Sequence, residues 1–358
     1  MGLTSRTEEP AMNAARAHRS PTPELQPVCD HDATPRVSVV VPARGNGRCV
    51  RALLYALVEQ SYPLRLIDVV IVDNDPVWAR GPAARAVHSQ RWPFRVRISV
   101  ESRAGASRAR NRGVRAATGD YVAFLDPDVV PDPGWLAALV AAAVEEGASI
   151  VGGRTLTHYP EGQALPLTDG LRECHGPVNW PDRRRAYGWP YWITTASLLV
   201  RREVFAQVGG FRLDLGRRGR WLLGCEDLEF VDRAVRHGLK VVIEPAALTG
   251  HPAYRRETRL GWFLAQGVGH GVSVARMRLS VAVPAQAIRA GSRDVEVALG
   301  RLLAAYLFLD SASAVYGLRE LARIAAYHLE RARLLLIGRR LIRAASSPIP
   351  SASQEGTP

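Results

Sequence analysis

Ser102-Arg-Ala-Gly-Ala-Ser-Arg-Ala-Arg-Asn-Arg-Gly-Val-Arg-Ala-Ala-Thr-Gly-Asp-Tyr-Val-Ala-Phe-Leu-Asp-Pro-Asp-Val-Val-Pro131 is the stretch from which the rest of the chain can be read. Residues 105–117 spell a helix, and Gly119 stands where a left-handed C-cap is expected. A short apolar run, 121–125, bounded by turn residues, reads as a buried strand. Asp126 and Asp128 follow it directly, separated only by Pro127. Ligands of open α/β sheets gather at the carboxyl ends of the strands. Two carboxylates placed there on a stiff turn make a hard oxygen site, suited to Mg²⁺ or Mn²⁺ carrying a substrate's phosphates. A lone Asp-x-Asp is more often a surface turn with local hydrogen bonds. The place of this one after a buried strand, and the pattern downstream, favour the ligand site.

Upstream, order begins at Arg36-Val-Ser-Val-Val-Val-Pro42, a β-branched run that reads as a central strand stopped by Pro42. A loop with Arg44, a helical pattern over 51–60, a strand over 66–72 and another over 94–101 follow. Strand and helix alternating at this spacing predict a parallel sheet covered on both faces. The first strand-to-helix loop, Pro42-Ala-Arg-Gly-Asn-Gly-Arg48, lacks Gly-x-Gly-x-x-Gly, which argues against NAD or FAD. Asp73 stands at a strand's carboxyl end, where it can accept hydrogen bonds from a base or ribose or simply form a turn before Pro76.

Downstream, 135–146 is a helix of good formers, 149–154 a strand, and the pattern then degrades. Residues 155–192 carry many Pro and Gly together with Tyr159, Trp180, Tyr187, Trp189, Tyr191 and Trp192, a candidate acceptor loop with aromatic platforms. A strand at 194–200, a short helix at 202–208 closed by Gly209-Gly210, and an arginine-rich loop at 212–220 lead to Glu226 and Asp227. These two open a helix over 228–237, where acidic residues complement the macrodipole. The dipole lowers a carboxylate's pKa, whereas burial and nearby phosphates raise it. His251 follows a strand at 240–244, at the ligand edge of the sheet, which makes a metal role plausible.

The net charge of +13 over 358 residues rests almost wholly on arginine, Lys240 being the only lysine. Such a surface attracts polyanions without choosing among them, and genome composition alone can raise arginine. Cys29, Cys49, Cys174 and Cys225 show no metal or disulfide spacing and read as reduced thiols.

Taken in order, four blocks resemble the inverting GT-A glycosyltransferases of family 2. They are Val37-Ser-Val-Val-Val-Pro42, then Val70-Ile-Val-Asp73-Asn-Asp75, then Ala109-Arg-Asn-Arg-Gly113 through Leu125-Asp-Pro-Asp128, and last Gly224-Cys-Glu226-Asp227 with His251 behind it. The resemblance implies an α/β GT-A fold, Rossmann-like, with a mixed, mostly parallel sheet and flanking helices. It implies a nucleotide-diphosphate sugar as donor and Mn²⁺ or Mg²⁺ as cofactor. Pro42, Ala43, Arg44 and Asp73 would then border base and ribose, and Arg110 would lie near the nucleotide. Asp128 would bind the cation, Asp126 the ribose or the metal's waters, and His251 would be a further metal ligand. Asp227 would be the general base and Glu226 would position the acceptor. Asn74 departs from the family's commoner aspartate, and no Gln-x-x-Arg-Trp signature of processive members appears, so transfer of one sugar or few is expected.

The expected organisation is a disordered leader (1–35), a glycosyltransferase domain (36–278) and a C-terminal helical region (279–345) before a disordered tail (346–358). Within the domain, 36–132 would be the nucleotide-binding half and 133–278 the acceptor-binding half. The apolar segment 302–318 is short for a membrane span and Asp310 interrupts it. A basic amphipathic helix at 331–343 could pack on the domain or rest on an anionic membrane beside a lipid-linked acceptor. No signal peptide is visible, so a cytoplasmic place is expected, at the inner face of the membrane if those helices touch it. The acceptor is a hydroxyl of a glycan, a lipid-linked sugar or a small molecule, and no nucleic-acid partner is expected. A nucleotidyltransferase-like α/β enzyme and a non-catalytic basic binding protein remain as alternatives.

Overall fold

The computed structural model describes residues 34–45, 47–75, 81–162, 167–280, 298–300, 302 and 311–337. Its first half runs β1 (Val37–Ala43), α1 (Gly47–Val58), β2 (Ile67–Asp73), α2 (Pro82–His88), β3 (Arg95–Val100), α3 (Ala106–Ala116), β4 (Tyr121–Phe124), β5 (Val130–Pro131) and α4 (Trp135–Glu145). The second half runs β6 (Ile150–His158), α5 (Asp169–Arg172), β7 (Arg185–Ala186), β8 (Leu198–Arg201), α6 (Val204–Val208), α7 (Glu226–Arg236), β9 (Val241–Pro252), α8 (Leu260–Ser280) and α9 (Ser311–Ile337). One sheet joins them in the order β3-β2-β1-β4-β8-β6-β9-β5, with β7 on β9. β3, β2, β1 and β4 are mutually parallel, β8 enters antiparallel between β4 and β6, and β6 and β9 are again parallel. The sheet is mixed and mostly parallel, as the resemblance implied.

Burial on both faces explains the nearly continuous apolar strands. Val37, Val39 and Val41 point into one layer with Leu53, Leu54 and Leu57 of α1 and with Trp135, Leu136 and Leu139 of α4. Val40, Val70, Val122 and Phe124 face the other layer, where Phe205, Phe211 and Phe230 meet Ala109 and Val114 of α3. Period-two alternation therefore splits one strand between two cores. α3 lies so close to β1 that a Cβ at Gly113 would collide with the side chain of Val40.

Three local expectations are corrected. Gly119 is not a left-handed cap: it is absent from the positive-φ residues, and Ala117 ends α3 in an extended conformation. A Cβ at Gly119 would lie 2.7 Å from the Arg36 carbonyl oxygen, and its N–H donates to Ser38 Oγ at 2.9 Å. Close backbone approach, and not turn geometry, selects glycine there. Pro42 does not stop β1, which keeps its register through Ala43 opposite Asp73. His251 lies inside β9, which continues to Pro252 past a register shift at Gly153/Arg154.

Beyond β9, α8 and α9 pack along each other. Gly267 and Gly271 of α8 face the backbone carbonyls of Arg319 and Arg323. Arg276 donates to Glu330 at 2.8 Å, and Arg319 Nη2 donates to Gln266 at 2.8 Å. Within the segment expected to be apolar or membrane-facing, α9 is thus a helix laid on α8. The leader expected at 1–35, apart from Thr34 and Pro35, lies outside the described residues, as do 281–297, 303–310, 338–345 and the tail at 346–358.

Candidate active site

The strand register brings the expected donor residues to one edge. Ala43 and Asp73 are direct neighbours at the carboxyl ends of β1 and β2, and the Asn74 N–H donates to Ala43 O at 2.7 Å. Asp73 is buried, and burial raises its pKa, while the N–H of Asp75, donating to it at 3.1 Å, works the other way. Arg44 is exposed on the turn that follows β1. One strand over, Leu125 N donates to Val40 O, and Asp126-Pro-Asp-Val129 closes a turn by a Val129 N to Asp126 O bond of 3.2 Å. Proline at the second turn position fits that geometry.

Arg110, on α3, organises the floor. Its Nη2 donates to Asp126 at 3.0 Å and its Nη1 to Glu226 at 2.7 Å, while Nε is buried with no hydrogen-bond partner. Burial works against its charge, but the Asp126, Glu226 and Asp227 carboxylates outweigh it and hold the guanidinium above its ordinary pKa. Two residues 100 positions apart, Asp126 and Glu226, are therefore held on one cation. Removing either partner of such a buried pair leaves an uncompensated charge.

Glu226 and Asp227 open α7, as the spacing predicts, and Cys225 before them adopts a left-handed φ of 63°. Asp227 Oδ1 accepts the Leu228 N–H at 2.9 Å. Burial, then the adjacent Glu226 carboxylate, push Asp227 up to about 7, with Arg110 pulling the other way. Asp227 as a residue is only half-buried. A carboxylate near neutral pKa can take a proton from a hydroxyl and release it again at physiological pH.

β5 pairs with β9, Val130 opposite Gly250, and this brings Asp128 to His251. His251 Nε2 is 3.7 Å from Asp128 Oδ1. Tyr254, which the sequence did not flag, donates its hydroxyl to Asp128 Oδ2 at 3.0 Å, and burial and that carboxylate raise its own pKa. Among the described residues no three His, Cys, Asp or Glu side chains gather closely enough to hold a metal ion. A carboxylate and an imidazole side by side, both partly open, fit a divalent cation shared with a ligand's phosphates better than one caged by protein.

Asn74 proves to be a bracket. Its side-chain amide donates to Glu101 O and Arg103 O at 2.9 and 2.8 Å, and its carbonyl accepts the Gly105 N–H at 2.8 Å. An aspartate could not donate those two bonds. Asn111 does the same for the following segment, donating to Phe211 O and accepting from Phe211 N. Of the aromatic stretch, Trp180, Tyr187 and Tyr191 pack against the core, whereas Trp189 is 94% exposed. Tyr159 and Trp262 enclose His175, which stacks on Trp262 with ring centroids 4.5 Å apart. Burial pushes His175 down to about 4, so it is neutral.

The sheet order, with acidic residues gathered at the ends of β2 and β4 and the start of α7, defines the GT-A class of nucleotide-diphospho-sugar transferase folds. Residues 38–209 match the family described as Glycosyl transferase family 2. The matched segment, just under half of the chain, therefore reads as a family 2 glycosyltransferase domain. It is similar to the glycosyltransferase AglE of Haloferax volcanii, 28% identical over 61% of this chain and 67% of that protein. A pre-mycofactocin glycosyltransferase of Mycobacterium tuberculosis is 28% identical over 67% of this chain but only 47% of its own length. Among solved structures, the mannosyltransferase PcManGT from Pyrobaculum calidifontis shares the fold with a TM-score of 0.54 at 19% identity, over 83% of this chain and 87% of that one. Among the described residues no helix is long and apolar enough to cross a membrane.

Proposed function

We propose that the chain moves one sugar from a nucleotide-diphosphate donor to an acceptor hydroxyl, with inversion and with a divalent cation. The observation that carries this reading is the Arg110 bridge, which sets a carboxylate of the nucleotide edge, Asp126, against Glu226 beside a half-buried Asp227 of near-neutral pKa. Pro42, Ala43, Arg44 and Asp73 would take the base and ribose, and Asp126 the ribose or the cation's waters. Asp128 and His251 would hold Mn²⁺ or Mg²⁺, which supplies Lewis-acid stabilisation of the leaving diphosphate. The solved relative that shares the fold is described in complex with GDP-Man and Mn²⁺, which supports a cation and a nucleotide sugar in general.

Asp227 then takes the acceptor's proton while Glu226 holds the acceptor, and one displacement inverts the anomeric centre with no covalent enzyme intermediate. Such general-base assistance contributes about 10²–10⁴-fold. The segment 36–132 serves the nucleotide and 133–278 the acceptor in this scheme. The acceptor is a glycan, lipid-linked or small-molecule hydroxyl, and the place of action is the cytoplasm or the inner face of the membrane.

Thermal shifts with UDP, GDP, dTDP and CMP, with and without Mn²⁺, test the donor half. One nucleotide should stabilise the wild type in a cation-dependent way, and Asp128→Ala should abolish that shift. Cation-dependent binding undiminished in Asp128→Ala would remove Asp128 from the site. Asp227→Asn should keep nucleotide binding within about threefold while losing 10²-fold or more in turnover, as expected for a general base.

A further inference from the structure

The arginine-rich loop between α6 and α7 is a built structure that the reaction does not use. Arg218 N donates to Trp221 O at 3.1 Å and Trp221 N to Arg218 O at 3.0 Å, with Gly219 at φ 60° between them. This tight hairpin puts Arg217, Arg218, Arg220 and Trp221 on the outside, Trp221 being 57% exposed. Among the described residues none of the three arginines forms an ion pair. The arginines of α9 differ: Arg319 and Arg323 pair with Glu320, and Arg333 with Glu330.

Both ends of the hairpin are anchored. Arg217 O accepts the N–H of Ala106 at the start of α3 at 2.9 Å, and the Gly224 N–H donates to Ser273 Oγ on α8 at 3.0 Å. Its tip is therefore fixed relative to Glu226 and Asp227, which follow in the chain. Arg217 is also close enough to His175 to lower that ring's pKa, and His175 Nε2 lies 3.2 Å from Glu257 O. A second exposed basic and apolar segment, Arg255, Arg256, Arg259 and Leu260, begins there.

We propose that this hairpin docks the protein on an anionic phospholipid bilayer. Unpaired guanidinium groups are attracted to a negative headgroup layer. An exposed indole beside them has its most favourable place at the membrane–water interface, where its apolar ring and its N–H are both accommodated. Because the hairpin is already ordered, docking costs little chain entropy. The net charge of +13 steers the approach. The contact is peripheral and salt-sensitive, and it holds the start of α7 at a fixed height above the headgroups. It does not depend on the roles given to Asp227 or Asp128, so its test stands apart from theirs.

Sedimentation of the full chain with vesicles tests this. Phosphatidylcholine vesicles holding about one-third phosphatidylglycerol should bind it at low salt, and pure phosphatidylcholine vesicles should not. Each arginine is worth about fivefold in partitioning, so Arg218→Glu with Arg220→Glu should lower binding by about 25-fold or more. Trp221→Ser alone should weaken binding severalfold without changing its salt dependence. The melting temperature without ligand should be unchanged in all three substitutions, which shows that the fold is kept. Equal binding to both vesicle types, no binding to either, or full binding in the double charge reversal would each overturn the proposal. In the last case the contact lies elsewhere on the chain. Loss of turnover on a soluble acceptor, with vesicle binding intact, would instead make the hairpin an acceptor-recognition loop.

Discussion

Burial and the neighbouring Glu226 carboxylate push Asp227 up to about 7, so the general-base role proposed for it predicts a pH signature. Turnover should fall about tenfold per pH unit below 7 and level off above it. In Glu226→Gln the electrostatic part of the rise is removed while burial stays, so the acid limb should move to lower pH even as activity drops. An unmoved limb would mean that the titrating group is not Asp227. The same shift affects stability. The folded chain holds this proton up to about pH 7, whereas an ordinary aspartate releases it near 4. Stability is therefore lost as pH rises between those values, and the loss is complete above 7. Asp227→Asn escapes it, so that variant should gain about 1–2 kcal/mol over wild type at pH 8 and nothing at pH 4, for a half-buried carboxylate; denaturant midpoints at the two pH values measure this. Asp126, Asp128, Glu226 and Asp227 were legible in the sequence because each follows a strand or opens a helix. Tyr254 and the bracket made by Asn74 were not, because a hydroxyl or amide declares its partner only when distant loops are brought together.

At the scale of elements, the α3–β1 contact is a tight joint near the site. Gly113 sits against Val40, and its φ is ordinary, so the cost of a larger residue there is purely steric. Gly113→Ala should destabilise by about 1–3 kcal/mol and, by tilting α3, displace Arg110 from Asp126 and Glu226. Thermal unfolding together with nucleotide binding would show both effects; an unchanged melting temperature would show that the sheet yields. Most helices and strands of the first half were readable from periodicity within a residue or two, but α1 begins at Gly47 and not at 51, and α2 and β5 were not anticipated. Gly119 was misread because a glycine after a helix usually marks a left-handed cap, and only the approach of the Arg36–Ser38 backbone shows the other reason. The extent of β9 was misread because Pro245 and the register shift interrupt its pattern without ending its pairing.

For the whole molecule, α8 and α9 are held by a close helix contact and by ion pairs. Gly271→Leu would force the Arg323 backbone away and should cost about 2 kcal/mol or more, a fall of roughly 4–8 °C for a domain of this size. Catalysis should survive, since neither helix contributes a residue to the proposed chemistry. A melting temperature within a degree of wild type would mean that α9 is not seated on α8 in solution.

The sequence alone determined the alternation of strands and helices, the two buried faces and the positions of the acidic residues at the sheet's carboxyl edge. It could do so because periodicity, turn residues and caps act over a few residues. Only the tertiary structure decided that β8 runs antiparallel between β4 and β6, that Arg110 joins Asp126 to Glu226, and that β5 brings Asp128 to His251. Most of those contacts join residues far apart in the chain, and burial, which shifts Asp227, exists only once the chain has closed around it.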